Sequence, residues 1–145
     1  MSRVDPTARR RAREAALQML YQAEVGRAGP QETIVTYWSA NDEDGEIDDD
    51  GRAFANRLVK DTLAKVDEID QLLAAHTKHW RVERMAVIDR IVLRLAVSEL
   101  MTQPDTPPKV VINEAIELAR TFSGDEAVPF VNGVLDAVRK KLSAG

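Results

Sequence analysis

A chain of 145 residues, 44% hydrophobic and 30% charged, has the size of one ordinary domain and enough apolar surface to bury a core. With no cysteine and two histidines, His76 and His79, it excludes a disulfide framework, a thiolate metal site and a cysteine nucleophile, and it is poorly supplied for any other metal. No run approaches about eighteen apolar residues and the amino terminus is charged, so neither a membrane span nor a secretory signal is read; a single domain over residues 1–145 and a cytoplasmic location are expected.

The net charge of −4 is unevenly spread. Residues 1–13 carry five arginines against one aspartate, a net +4, which leaves −8 for the remainder. Much of that lies in residues 41–51, where an acidic low-complexity run reads as a mobile loop that repels phosphate. Any nucleic acid therefore meets one local surface, the arginine-rich segment 1–13.

The first helix starts at Asp5-Pro6-Thr7, with either Asp5 or Thr7 as cap. It runs to about Val25, before Gly26 and Gly29-Pro30. At 100° per residue, Ala12, Ala16, Met19, Leu20 and Ala23 share its buried face, with Leu17 at the edge, while Arg10, Arg11 and Glu14 point away. The positive end of a helix favours acids in the first turn by roughly 0.3–1 kcal/mol each, yet Arg9, Arg10, Arg11 and Arg13 crowd this end. Planar guanidinium forks suit phosphate oxygens, which points to RNA or DNA backbone. A solvated basic end that only aids solubility is the plainer reading.

A short helix from Pro30 to Ser39 brings Ile34, Val35, Tyr37 and Trp38 toward the core. From Arg52 to about His79 the positions Phe54, Leu58, Leu63, Val66, Ile69, Leu72 and Leu73 predict one long helix or two in line. After a connector at residues 81–85, Ala86 to Met101 is apolar nearly all round, as a central buried helix is. Its exceptions are Asp89, Arg90, Arg94 and Glu99. Charges on such a helix need partners, and an intramolecular ion pair is the simplest.

Lys109 to Phe122 forms an amphipathic helix with Val111, Ile112, Ala115, Ile116, Ala119 and Phe122 inward. Asp125 and Glu126 sit where the last helix starts, with Val131, Val134, Leu135, Val138 and Leu142 as its buried stripe. Phe130 lies about a quarter turn off that stripe, at the border of core and solvent, where a ring can close the core or stack on a base. Gly133 inside this helix suggests that another helix or a ligand comes close. No segment alternates as a strand does, so the fold class is all-α with about seven helices. No phosphate loop, metal motif or catalytic triad is present, and neither enzyme chemistry nor a cofactor is expected.

The stretches Ala8 to Tyr21 (ARRRAREAALQMLY), Val87 to Leu100 (VIDRIVLRLAVSEL), Val111 to Ala119 (VINEAIELA) and Phe130 to Asp136 (FVNGVLD), in this order and spacing, resemble the NusB family of bacterial transcription antitermination factors. The likeness covers most of the chain and is weakest between Ala28 and Gly51. It implies two stacked three-helix bundles and a factor that pairs with ribosomal protein NusE, binds the boxA element of nascent RNA, and joins NusA, NusG and RNA polymerase, chiefly on ribosomal RNA operons. It further implies RNA roles for Arg9, Arg10, Arg11, Arg13, Tyr21, Glu126 and Phe130, and a NusE-facing role for Asp89 with its neighbours Arg90 and Arg94. Tyr21 can also be read as core with a tethered hydroxyl. Two rival functions stand beside this one: a purely protein-binding helical adaptor, and the amino-terminal RNA-binding piece of a ribosomal RNA methyltransferase, which requires the chain to be a fragment.

Overall fold

A computed structural model describes residues 6–41, 47–77 and 85–144. Among these residues there are seven α-helices and no strand. They divide into two compact units, Met1–Leu63 and Ala64–Gly145. The expected loop at residues 42–46, the candidate cap Asp5, the histidine His79 and most of the connector before Met85 lie outside the described residues.

The first unit holds α1 (Pro6–Gly26), α2 (Pro30–Ala40) and nearly all of α3 (Asp49–Ala64). The predicted face of α1 is buried, and so are Ala15 and Leu17; Leu17 belongs to the core and not to its edge. On α2 the buried residues are Thr33, Ile34 and Tyr37, while Trp38 is half-buried and Val35 is 55% exposed. Helical geometry explains the outward Val35, which lies roughly 155° from the mean direction of the three buried side chains. Polar contacts fix the three helices to one another. The Tyr37 hydroxyl donates to Gln18 Oε1 on α1 at 2.8 Å, and Trp38 Nε1 donates to Asn56 Oδ1 on α3 at 2.7 Å.

The acidic run does not stay a loop to Gly51. Asp48 Oδ1 accepts from the Gly51 N–H at 2.8 Å, and its carbonyl accepts from the Arg52 N–H at 2.9 Å. Asp48 therefore caps α3, and Asp49 and Asp50 fill the first turn, where the helix dipole favours carboxylates. Gly51 is needed there, because a Cβ would meet Ile47 Cγ2 at 2.8 Å.

The second unit holds α4 (Val66–Ala75), α5 (Val87–Thr102), α6 (Pro108–Phe122), a 3₁₀ turn (Asp125–Ala127) and α7 (Val128–Ala144). Helices α5, α6 and α7 pack on one another, and α4 packs on α5 and α7. Each unit thus has a group of three helices, with α4 added in the second. The long apolar stretch from Arg52 is two helices, separated at Lys65, whose backbone (φ −110°, ψ 15°) leaves the helical region. On α5, residues 90–99 are buried apart from half-buried Arg94, as the predicted central helix requires. The start of the last helix differs from expectation: Asp125 and Glu126 lie in the 3₁₀ turn and α7 proper begins at Val128. Among the described residues nothing approaches Gly133, where an added Cβ would meet no atom within 4 Å, so none of the described helices accounts for it.

Helix α1 stops at Gly26, but the left-handed residue that follows is Arg27, with φ 53°. A side chain in this region costs about 1–2 kcal/mol, and glycine is the usual occupant after a helix end. Arg27→Gly is expected to raise the unfolding free energy by about 0.5–1 kcal/mol, part of the relief being offset by the freer unfolded glycine. Urea unfolding checks this, and a drop in stability would show that the Arg27 side chain itself holds the turn.

Candidate nucleic-acid interface

Helical spacing sorts the four arginines of α1 into two pairs. Arg9 and Arg13 are one turn apart and share the side of Ala12, Ala16 and Leu20; Arg10 and Arg11 turn outward. The burial follows this split, with Arg13 only 5% exposed, Arg9 half-buried, and Arg10 and Arg11 exposed. Phe54 of α3, itself buried, carries the inward pair. The Arg9 guanidinium carbon stands 4.0 Å from the ring centroid and that of Arg13 stands 5.4 Å away. Arg9 also reaches Asp50 at 3.7 Å. A second stack lies in the same unit, where Arg52 sits 4.8 Å over the Trp38 ring.

Tyr21 is 42% exposed, so the core reading of its ring does not hold. It lies eleven residues after Arg10, three turns and about 20° round, so the two share a stripe roughly 16 Å long. In the second unit, Glu126 is exposed and Phe130 half-buried. Gly124 precedes them with φ 137°, and the Glu126 carboxylate folds over it, 2.9 Å from where a Cβ would stand. No residue with a side chain fits that place. Arg120 at the end of α6 ties this turn down through ion pairs with Glu117 and with Asp125 at 3.4 Å. Further along α7, hydrogen bonds from Arg139 and Lys140 hold the half-buried Asp136 carboxyl below its ordinary range.

Three of the four charges on α5 fare differently, while Glu99 is buried with Arg90 in the core. Arg94 donates from Nε to Asp70 Oδ1 at 2.8 Å and from its terminal nitrogen to Oδ2 at 2.7 Å. This two-pronged pair joins α5 to α4 and commits the Arg94 fork inside its own chain. Arg90 is buried. Asp89 lies in the first turn of α5, where the dipole favours it. Its Oδ1 is buried without a hydrogen-bond partner among the described residues. Among those residues no group of three or more His, Cys, Asp or Glu could hold a metal ion, and no helix is long and apolar enough to cross a membrane.

The model of the NusB family matches residues 10–140. This chain belongs to the NusB family. The transcription antitermination protein NusB of Myxococcus xanthus is 48% identical, across 94% of this chain and 97% of its own length. NusB of T. maritima superposes with a TM-score of 0.82 at 33% identity, covering 92% of this chain and 91% of that one. A chain from a crystal structure of antitermination factors NusB and NusE in complex with double-stranded RNA superposes with a TM-score of 0.83 at 27% identity, covering 93% and 98%.

The supporting residues were not among the expected site residues. Phe54 reads in sequence as one more core position and Asp50 as loop. The inward turn of Arg13 was legible, because it falls three, four and seven residues before Ala16, Leu17 and Leu20. For the pair that fixes α4 to α5, a double-mutant cycle of Asp70→Asn and Arg94→Gln is expected to give a coupling energy of about 1–2 kcal/mol, as partly buried charged hydrogen bonds do. A coupling below about 0.3 kcal/mol would class it with ordinary exposed pairs.

Proposed function

We propose that this chain is a transcription antitermination factor that acts as a heterodimer with ribosomal protein NusE and binds boxA RNA. In this reading it works in the cytoplasm, joins NusA, NusG and RNA polymerase, serves mainly ribosomal RNA synthesis, and performs no catalysis of its own. The observation that carries the RNA part is the exposure of Arg10 and Arg11, side by side on the face of α1 turned away from its buried stripe.

Single strands are held by phosphate contacts and by stacking of bases on rings. Arg10 and Arg11 supply the first, with Arg9 beside them, and Tyr21 extends the same stripe with a ring. Phe130 supplies a second ring, and Glu126 accepts base N–H donors, since a carboxylate repels phosphate. Arg13 is assigned to support the surface and not to touch RNA. On α5, half-buried Asp89 is the residue assigned to NusE, as an acidic group at the helix end that a partner's arginine or lysine would pair. Buried Arg90 shapes that end of the helix, and Arg94 acts through Asp70. The adaptor reading draws on the internal use of Arg9 and Arg13.

Charge reversal separates the two. Arg10→Glu with Arg11→Glu is expected to lower affinity for boxA RNA at least tenfold and to flatten the logarithmic salt dependence by about 1.4, two phosphate contacts being lost from a single strand. Asp89→Lys is expected to do the reverse, weakening NusE in a titration while RNA contact by the free protein stays within about twofold, as befits a charge remote in role from phosphate. Unchanged RNA affinity in the arginine variant would hand the function to the adaptor.

A further inference from the structure

The ion pair between Arg9 and Asp50 joins the arginine segment to the acidic start of α3, and the reading of α1 as an RNA surface gives it a consequence. Resting on that reading, we propose that Asp50 is an internal competitor for RNA: its carboxylate occupies at Arg9 the place that a phosphate takes on binding. Carboxylate and phosphate each offer two oxygens to one guanidinium fork, so the two ligands exclude each other at the same edge.

Three features make the exchange feasible. The contact is loose, at 3.7 Å with the Asp50 side chain 77% exposed, whereas tight charged hydrogen bonds fall near 2.7–2.9 Å. The Phe54 ring lies against the face of the Arg9 guanidinium at 4.0 Å, which keeps the cation in place when Asp50 leaves. Asp50 stands in the first turn of α3, where the dipole stabilises its charge whether or not Arg9 is paired. Phosphate then replaces carboxylate without reshaping either helix. The effect is a toll on every polyanion, cognate or not, which keeps RNA held by phosphate contacts alone weakly bound.

The test uses the full chain with boxA RNA and a scrambled RNA in fluorescence anisotropy over a range of salt. Asp50→Asn is expected to tighten both RNAs about two- to fivefold, the range of an exposed ion pair, and to steepen the logarithmic salt slope by about 0.7, one counterion release being uncovered. Asp49→Asn removes the same charge from the same turn and is expected to change neither. In an Arg9→Gln background the gain from Asp50→Asn is expected to vanish. Equal effects of the two Asn variants, persistence of the gain without Arg9, or weaker binding by Asp50→Asn would each overturn the proposal. A second readout does not depend on RNA. The Arg9 Nε–H resonance, titrated with inorganic tripolyphosphate, is expected to saturate at a lower concentration in Asp50→Asn than in the parent chain, and identical titrations would overturn the competitor. If the resonance behaves as expected while neither RNA binds any form of the protein, the competition stands and the RNA function falls.

Discussion

Arginine at the amino-terminal end of a helix meets the positive pole of its own dipole, and the first unit is arranged around that conflict. With α1 starting at Pro6, Arg9 closes the first turn, and the other three arginines lie beyond it, where the dipole fades. Arg9 is also the one given a ring below and a carboxylate beside, both from α3. The inward pair thereby brings α3 against α1 through Phe54, and the outward pair is left on the surface. Moving the register of α1 by one residue would put Arg10 and Glu14 in the places of Arg9 and Arg13, setting a carboxylate where the Arg13 guanidinium now meets Phe54.

The second unit solves a different problem. A helix as apolar as α5 has to be covered, and α4, α6 and α7 pack on it. Its charges are then tolerable only where something compensates them. Asp70 does so for Arg94 through two short hydrogen bonds, and the helix end does so in part for Asp89. The turn before α7 depends on backbone freedom instead. Gly124 adopts a conformation that leaves room for the Glu126 carboxylate, and Arg120 anchors the neighbouring Asp125.

Periodicity made most of this architecture legible. The buried faces of α1, α6 and α7, the central place of α5 and the border position of Phe130 all follow from spacing alone. Composition served less well than geometry. The acidic run reads as loop by its charge, yet its last residues are what a helix start selects, with Asp48 as cap. Val35 was expected inward by its hydropathy and faces out by its angle. Gly133 suggests close approach, and none of the described residues comes near its open side. The outward turn of Arg10 and Arg11 is legible from the 100° that a helix puts between neighbours, whereas the stacking of Arg9 and Arg13 on Phe54 is not. Phe54 and Asp50 could not be linked to Arg9 by local pattern, since the contacts join residues more than forty positions apart.

The central claim is that this surface, in company with NusE, distinguishes boxA from other RNA. Fluorescence anisotropy of a boxA RNA and a scrambled RNA, with and without NusE at two salt concentrations, tests it most directly. The account predicts that NusE raises affinity for boxA well above that for the scramble, and that the difference between the two RNAs survives the higher salt while overall affinity falls. Absence of binding to either RNA at low salt, with NusE present, would contradict it.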